Sequence, residues 1–393
     1  EKSVILAVPF WMDFCGNIYY LALPLLVIEL GGTPVQLGLV GTVASSVYMV
    51  MALLTGRLSD RFGRRALMVA GPLAFACACL LMTQAGGIPT ILALAALNGI
   101  SFSLFWPAFQ AWVAEVQAAA KDLARNIGNF NLSWTSSQLV GAIVAGLLFA
   151  VSPRLPFFAA AGFGLALFLF LLANVKDRTL PSTRETGPAD LPGESGNHRF
   201  FLYAIWVSNF ATWFILGNVR YQFPKLAREM AVSPQTIGLL ISCVGLSQFL
   251  GFFFLRLTDR WHFNRDFLFG AQLVSAAGLM IMVFATGAFS LAPALVLIGV
   301  SASLTYYSSL YYAVLLLARK GKGTGIHESI LGCGVVFGPL LGGVAAQFGG
   351  LRSPYLLCAG VLLAAMAVEL FLIRRDNPLA ASPIPLPRPG GED

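Results

Sequence analysis

The chain has 393 residues, of which 57% are apolar and only 11% are charged, and its mean hydropathy is +0.77. Charged residues make up about 25% of an ordinary soluble domain, so this composition excludes a soluble globular protein. The formal net charge of +7 does not indicate nucleic-acid binding, because the basic residues follow a membrane topology.

Long apolar runs recur along the chain, separated by short Gly, Pro or basic segments. A bilayer core about 30 Å thick needs roughly 20 apolar residues per helix. The pattern therefore predicts an all-α polytopic membrane protein. We also expect the first run to be a span rather than a signal peptide, because it is too long and no small-residue cleavage site follows it. The twelve predicted spans are 4–30, 35–56, 66–84, 89–114, 125–150, 155–175, 200–223, 235–256, 267–289, 291–318, 324–347 and 354–373.

The basic residues lie mainly in alternate loops. If the N-terminus is cytoplasmic, the cytoplasmic segments hold 20 of the 25 Lys and Arg residues. Cytoplasmic loops of membrane proteins carry such an excess of basic residues. We therefore predict an integral protein of the cell (inner) membrane with both termini in the cytoplasm.

The chain divides into two halves that repeat one another. A segment at 176–199 containing several Pro, Gly and Ser residues is expected to be a cytoplasmic linker between six-helix bundles at 1–175 and 200–375. Residues 376–393 are expected to form a disordered cytoplasmic tail. A repeat that relates the two halves of the chain predicts two pseudo-symmetric bundles with a binding site between them. Three segments recur at an offset of 199 or 200 residues: 33–39 at 233–239, 57–62 at 256–261 and 99–104 at 299–304.

The loop between the second and third spans carries the most specific motif of the chain. Residues 56–65, Gly-Arg-Leu-Ser-Asp-Arg-Phe-Gly-Arg-Arg, resemble the signature of the major facilitator superfamily of secondary transporters. The resemblance implies that Asp60 bridges the two halves on the cytoplasmic side and steadies an outward-facing state; a local ion pair is the alternative. With its partial second copy, the predicted gating motif consists of Gly56, Asp60, Arg61, Gly63, Arg64, Arg65, Asp259 and Arg260.

Two carboxyl groups inside the spans are candidates for proton coupling. Asp13 lies about 14 Å into the first span at 1.5 Å per residue, near the bilayer centre. A carboxyl group there must be protonated, paired or exposed to a water-filled cavity, so it marks a functional site; packing by a neutral Asp13 is the alternative. Glu328, about 6 Å into the eleventh span, is the second candidate, although it could instead complement a helix N-terminus.

Polar and aromatic residues concentrate in some spans, whereas spans three, six, nine and twelve contain the fewest polar residues. The family resemblance implies that these four spans face lipid. In span five, Asn131, Thr135 and Gln138 share one helix face at i, i+4 and i+7. Apolar surface combined with hydrogen-bonding groups suits an amphiphilic or aromatic ligand. The predicted substrate cavity contains Asn17, Trp106, Gln110, Asn131, Thr135, Gln138, Asn209, Trp213, Tyr307 and Tyr311.

Three charged residues near span ends, Glu115, Arg220 and Glu369, are expected to extend their charged groups to the membrane interface. Their long side chains can cover apolar surface while the head groups remain in water. None of them is therefore selected as a site residue.

The chain resembles the drug/proton antiporter branch of the superfamily, with departures. The resemblance implies an Arg in span four, three residues before a Gln-Gly pair. Here Ala95 occupies the position of the Arg, and Asn98-Gly99 occupies that of the pair. The span-five motif Gly-x-x-x-Gly-Pro-x-x-Gly-Gly is incomplete because Ala142 replaces Pro, and the complete motif lies at 334–343 in span eleven. Its small residues predict close helix contact, which says nothing about the substrate.

These features favour a secondary active transporter that exports a small amphiphilic solute in exchange for protons by alternating access. A symporter or uniporter of a lipid-like, metal-chelate or other metabolite, and a non-transporting membrane receptor, are the alternatives. No enzyme, cofactor or metal site is indicated, because the chain has no nucleotide-binding Gly loop and no catalytic or metal-ligand constellation. We expect a monomer whose partners are a small-molecule substrate, protons and membrane lipids, and no nucleic acid.

Overall fold

The computed structural model describes residues 2–116, 123–175, 199–316 and 320–375. Within these ranges the chain forms helices and no strand, and 12 helices are long and apolar enough to cross a membrane. The predicted fold class is thereby confirmed. Most of the predicted linker and the whole predicted tail lie outside the described residues. The helices are α1 (Lys2–Glu29), α2 (Pro34–Phe62), α3 (Arg64–Met82), α4 (Ile88–Val116), α5 (Leu123–Val151), α6 (Leu155–Asn174), α7 (Arg199–Tyr221), α8 (Phe223–Glu229), α9 (Pro234–Leu255), α10 (Arg265–Phe284), α11 (Ala288–Leu316), α12 (Lys320–Gly349) and α13 (Ser353–Ile373).

The short helix α8 is the one element that the hydropathy pattern does not predict. It follows α7 after a single residue and has Pro224 in its first turn, where the missing N–H and fixed φ of proline are compatible with a helix start. We call the end of the molecule that holds α8 and the α1–α2 turn the α8 end. The opposite end, with the turns at 62–64 and 256–264, is called the signature end.

The sequence repeat at 33–39 and 233–239 reappears as a structural repeat. Thr33 caps α2 by accepting a hydrogen bond from the Gln36 backbone N–H at 3.3 Å. Ser233 caps α9 in the same way, accepting from the Thr236 backbone N–H at 3.3 Å. Both helices therefore begin with a hydroxyl cap, at equivalent positions in the two halves.

The halves pack together along two pairs of helices, α2 with α12 and α5 with α9. The contacts are so close that a Cβ atom at Gly38 would meet the Pro339 carbonyl oxygen, and one at Gly238 would meet the Ala142 carbonyl oxygen. Small residues allow such close approach of two helix backbones. The complete and the incomplete copies of the glycine motif thus form equivalent contacts.

Polar contacts join the halves at the α8 end. The Gln222 Nε2 donates to the Pro34 carbonyl oxygen at 3.1 Å. Arg228 on α8 pairs with Glu29 at the end of α1, with 3.3 Å between Nη2 and Oε1. Helix α8 therefore lies against the N-terminal half and covers this end of the interface.

Candidate functional site

A cavity of about 220 Å³ lies between the two halves. Its wall is formed by α1, α2, α4 and α5 of the N-terminal half and by α7, α11 and α12 of the C-terminal half; we call it the large lobe. A second space of about 60 Å³ shares several of the same wall residues and adds residues of α9; we call it the small lobe. The two lobes lie where a duplicated transporter is expected to bind its substrate.

Both carboxyl groups selected from the sequence line the large lobe. Asp13 belongs to α1 and Glu328 to α12, so each half contributes one of them. Glu328 is within hydrogen-bonding reach of Gln110 on α4. Arg220 on α7 acts electrostatically on Asp13. The tertiary structure thus collects these four polar groups from both halves in one cavity.

Arg220 does not extend to the membrane interface, and the expectation for this residue was wrong. It lines both lobes, and its guanidinium carbon lies 4.5 Å from the centroid of the Tyr20 ring. The physical reason is that α8 begins one residue after the end of α7 and its first residue, Phe223, is fully buried. The end of α7 is therefore covered by protein, and its terminal arginine faces the cavity.

Half of the ten predicted cavity residues line the lobes. Gln138 and Trp213 line both lobes and therefore lie where the two spaces meet. The residues in the wall are Asn17, Trp106, Gln110, Gln138 and Trp213.

The other polar candidates of α5 and α7 are buried in helix contacts away from both lobes. Asn131 Oδ1 accepts a hydrogen bond from Trp134 Nε1 at 3.2 Å. Thr135 Oγ1 donates to the Asn131 carbonyl oxygen at 2.6 Å. Asn209 is fully buried. Of the predicted polar face on α5, Gln138 alone belongs to the described cavity wall.

Tyr307 and Tyr311 are also buried away from the lobes. They pack on Trp261, with ring centroids 5.4 and 5.2 Å from the indole. Their neighbour Tyr306 lines the large lobe instead. The aromatic spacing on α11 therefore identified the correct helix, but the residue that faces the cavity is Tyr306 and not the predicted Tyr307.

Several aromatic wall residues were not selected from the sequence. The spans that carry these rings have aromatic residues on several faces, so residue spacing alone does not reveal which ring faces the cavity. The additional rings in the wall of the large lobe are Tyr20, Tyr48, Phe102, Phe130, Trp134, Tyr221 and Tyr306.

One buried polar side chain of the small lobe was also missed. Gln248 on α9 is 1% exposed, and neither of its amide atoms has a hydrogen-bond partner among the described residues. The same holds, within the described part of the chain, for the indole N–H of Trp213. An isolated Gln in an apolar helix was the signal that could have identified Gln248.

Glu369 is fully buried, so the expected extension to the interface was wrong for this residue too. Gln272 Nε2 donates to the two carboxyl oxygens of Glu369 at 2.7 and 2.8 Å and to Ser208 Oγ at 2.8 Å. These residues come from α13, α10 and α7 and do not line either lobe. The amide supplies the hydrogen bonds that a buried carboxyl group needs.

The gating motif lies at the signature end. Helix α2 continues to Phe62, Gly63 has φ +88°, and α3 begins at the next residue. Arg64 Nη1 donates to Ser59 Oγ at 2.5 Å, and Arg65 Nη2 donates to the Leu172 carbonyl oxygen at 2.8 Å. Arg61 is exposed. Gly56 and the side chains of Asp60 and Glu115 are not among the described parts of the chain, so the bridging role of Asp60 stays a prediction.

The second copy of the motif forms an exposed turn. Asp259 and Arg260 are exposed, and Asp259 Oδ1 lies 3.8 Å from His262 Nδ1. Burial lowers the pKa of His262, and the negative charge of Asp259 opposes this effect. Arg256 Nη1 donates to Asn129 Oδ1 of α5 at 2.9 Å and so connects the two halves. The gating role of Asp259 and Arg260 stays a prediction.

Comparison with known families gives one clear match. The model of the Major Facilitator Superfamily matches residues 5–219 and, a second time, residues 205–390. The quinolone resistance protein NorA of Staphylococcus aureus is 22% identical over 355 residues, covering 88% of this chain and 90% of NorA. An uncharacterized MFS-type transporter of Mycobacterium tuberculosis is 27% identical over 388 residues, covering 91% of this chain and 90% of that protein.

The solved structures that resemble this chain show the same fold at low sequence identity. A bacterial homologue of the human lysosomal transporter Spinster, in an inward-facing and unoccupied conformation, superimposes with a TM-score of 0.76. It is 14% identical, and the alignment covers 95% of this chain and 97% of that one.

Proposed function

Because the chain belongs to the Major Facilitator Superfamily, we propose that it is a transporter that exports a small amphiphilic organic solute in exchange for protons. The observation that carries the proposal is the large lobe, in which two carboxyl groups from opposite halves face a wall of aromatic rings. Alternating access needs one central site that both halves form. The large lobe has this property.

The aromatic wall supports an amphiphilic solute. Trp106, Trp134 and Trp213 line the cavity together with the amides of Asn17 and Gln138. Rings of this kind bind flat apolar surfaces, and a few polar groups fix the orientation of a ligand in a mainly apolar site. The relative NorA is named for quinolone resistance, which supports export of an organic compound.

The two carboxyl groups support proton coupling. An ionised Asp13 or Glu328 attracts a positively charged or hydrogen-bond-donating part of the solute, whereas the protonated form loses most of that attraction. Proton binding and solute binding then compete for the same carboxyl oxygen. This competition is what exchange of a solute for a proton requires.

The two ends of the interface differ in a way that allows the solute to reach the cavity from the signature end. Cross-half contacts close the α8 end, whereas Gln110, which lines the large lobe toward the signature end, is exposed. With the signature end in the cytoplasm, as the positive-inside rule predicts, the solute enters the cavity from the cytoplasm. Separation of the halves at the α8 end then releases it on the other side.

The experiment is transport by the purified full-length chain in proteoliposomes, with a solute chosen by thermal-stability screening of amphiphiles, because a ligand of the folded state raises its stability. We expect an imposed pH gradient to drive accumulation of the solute by the wild type. Asp13→Asn and Glu328→Gln should remove this stimulation while solute exchange without a gradient persists. The control is Asp266→Asn, at an exposed carboxylate, which should behave as the wild type.

The opposite result is equally clear. If the rate of solute movement does not depend on the pH gradient and is unchanged by Asp13→Asn, transport is not coupled to protons. That result favours a uniporter. If the solute instead accumulates on the side toward which the protons flow, the result favours a symporter.

A further inference from the structure

We propose that the small lobe is a subsite for an anionic group, such as a carboxylate, on the transported solute, and that Arg220 is its charged partner. The inference rests on the proposed function, because it assigns a chemical class to the solute of the same cavity. It follows from three observations on the walls of the two lobes.

The first observation is that charge is divided between the lobes. Asp13 and Glu328 line the large lobe, and neither lines the small one. Among the described residues, Arg220 is the one charged side chain in the wall of the small lobe. An anionic group in the small lobe therefore meets a guanidinium in a wall to which neither carboxyl group contributes.

The second observation is the way in which Arg220 is held. Its guanidinium carbon lies 4.5 Å from the centroid of the Tyr20 ring, and it forms no ion pair with a carboxylate of the described residues. A guanidinium that stacks on a ring keeps its N–H groups, which lie in its plane, for an acceptor. These groups match the two oxygens of a carboxylate.

The third observation is that two further hydrogen-bond donors line the small lobe without a partner. The Gln248 amide is almost fully buried, and the Trp213 indole N–H is buried; neither has a hydrogen-bond partner among the described residues. A buried donor without a partner is costly, and native proteins rarely keep one. A carboxylate in the small lobe supplies acceptors for both donors as well as for Arg220.

The competing explanation is that Arg220 only balances the charge of Asp13. Arg220 does act electrostatically on Asp13. That interaction leaves Gln248 and Trp213 without partners, and it predicts no preference for an anionic ligand. The two explanations therefore differ in an observable property of the wild-type protein.

The solute class that fits both lobes is an aromatic amphiphile with a carboxylate. Its rings lie against the aromatic wall of the large lobe, its carboxylate enters the small lobe, and any amino group faces Asp13 or Glu328. A matched pair of probes tests this class: 1-naphthylacetate and its neutral amide, 1-naphthylacetamide, which have the same ring system and nearly the same shape.

The experiment measures the dissociation constants of the two probes for the purified full-length chain, with protein-free micelles as the blank. We expect the wild type to bind the acetate at least about tenfold more tightly, since hydrogen bonds to charged groups are the stronger kind. Arg220→Gln should reduce the preference to below about twofold, and Arg220→Lys should keep an intermediate preference because it retains the charge without the fork. Arg154→Gln, which removes an exposed arginine elsewhere, should keep the full preference.

A wild type that binds both probes alike, or binds neither, overturns the subsite. A full preference retained by Arg220→Gln also overturns it. If Arg220→Gln does not give a monodisperse protein, Gln248→Leu replaces it and should weaken binding of the acetate more than that of the amide.

The outcomes also separate this inference from the proposed function. Tight, Arg220-dependent binding of the acetate without any transport overturns the proposed function and leaves the subsite. If a pH gradient drives transport of solutes with and without a carboxylate equally well, the subsite is overturned and the proposed function remains.

Discussion

The turn after α2 and the turn after α9 contain copies of one sequence, yet they fold differently. In the first copy, α2 runs through the motif to Phe62, and Gly63 alone separates it from α3. In the second copy, α9 ends at Leu255, before the motif, and the chain turns through 256–264 before α10 begins. The shared Arg-x-x-Asp-Arg pattern therefore does not determine the turn.

The difference comes from the residues at the end of each copy. Gly63 adopts φ +88° and ψ 146°, a region that is open to glycine but strained for other residues. The second copy has His262 at this position, and it cannot make the same one-residue connection without strain. Instead Trp261 is 3% exposed, whereas its counterpart Phe62 is 62% exposed. The first turn is set by a glycine and the second by a buried aromatic residue.

The largest expected effect comes from removing that aromatic residue. Trp261 packs on Tyr307 and Tyr311, and its indole N–H donates to the Leu255 carbonyl oxygen at 2.9 Å. Trp261→Ala should lower the free energy of unfolding by about 3–5 kcal/mol, as other buried aromatic truncations do. Chemical unfolding of both proteins in mixed micelles measures this difference in the free energy of unfolding.

The matched control is Phe62→Ala, at the equivalent position of the first copy. Because Phe62 is exposed, its truncation should change the free energy of unfolding by less than about 0.5 kcal/mol. Equal losses for the two variants would show that the two turns are anchored alike.

An intermediate effect is expected from Gly63→Ala. A Cβ atom at this backbone conformation should cost about 1–3 kcal/mol, measured in the same unfolding assay. Gly270→Ala on α10 is the control, because a Cβ atom there meets nothing within 4 Å and the residue is helical. It should be neutral or stabilise the protein by up to about 1 kcal/mol. A neutral Gly63→Ala would mean that the first turn does not depend on glycine.

The smallest effect is expected from Tyr312→Phe. The Phe263 backbone N–H donates to the Tyr312 hydroxyl at 2.7 Å, and Phe263 has φ +49°. Loss of this one hydrogen bond should cost about 1 kcal/mol. Tyr311→Phe, in the same aromatic cluster, is the comparison and should cost less. If both cost the same, the hydroxyl of Tyr312 does not hold the second turn.

The two turns also differ in how they contact the rest of the molecule. Arg256 of the second copy already connects to Asn129 across the interface at the signature end. The same end carries the first copy, whose turn is short and contains no buried aromatic anchor. The second turn is therefore held by buried contacts that the first turn lacks among its described residues.

The fold was predictable to a large extent because its signals are one-dimensional. A bilayer requires about 20 apolar residues per helix, so hydropathy located the spans. The repeated segments predicted two related halves, and the equivalent caps at Thr33 and Ser233 agree with that repeat. The short helix α8 was not predictable in this way. It is too short to show a hydropathy signal, and its burial depends on contact with α1.

The site was predictable in part. Asp13 and Glu328 could be selected from the sequence because a carboxyl group inside a span is costly wherever it faces. Gln138, by contrast, lines the cavity, while Thr135 on the predicted same face is buried between helices. The sequence pattern located the helix but not its rotation.

The sequence by itself determined the number of spans, the two related halves, the signature and the two carboxyl groups within the membrane. Tertiary structure alone decided that Arg220 faces the cavity, that Glu369 is buried against Gln272, and that Tyr306 replaces Tyr307 in the wall. The physical reason is that these helices are apolar on almost every side, so the contacts between helices, and not residue spacing, set which side chains face the solute.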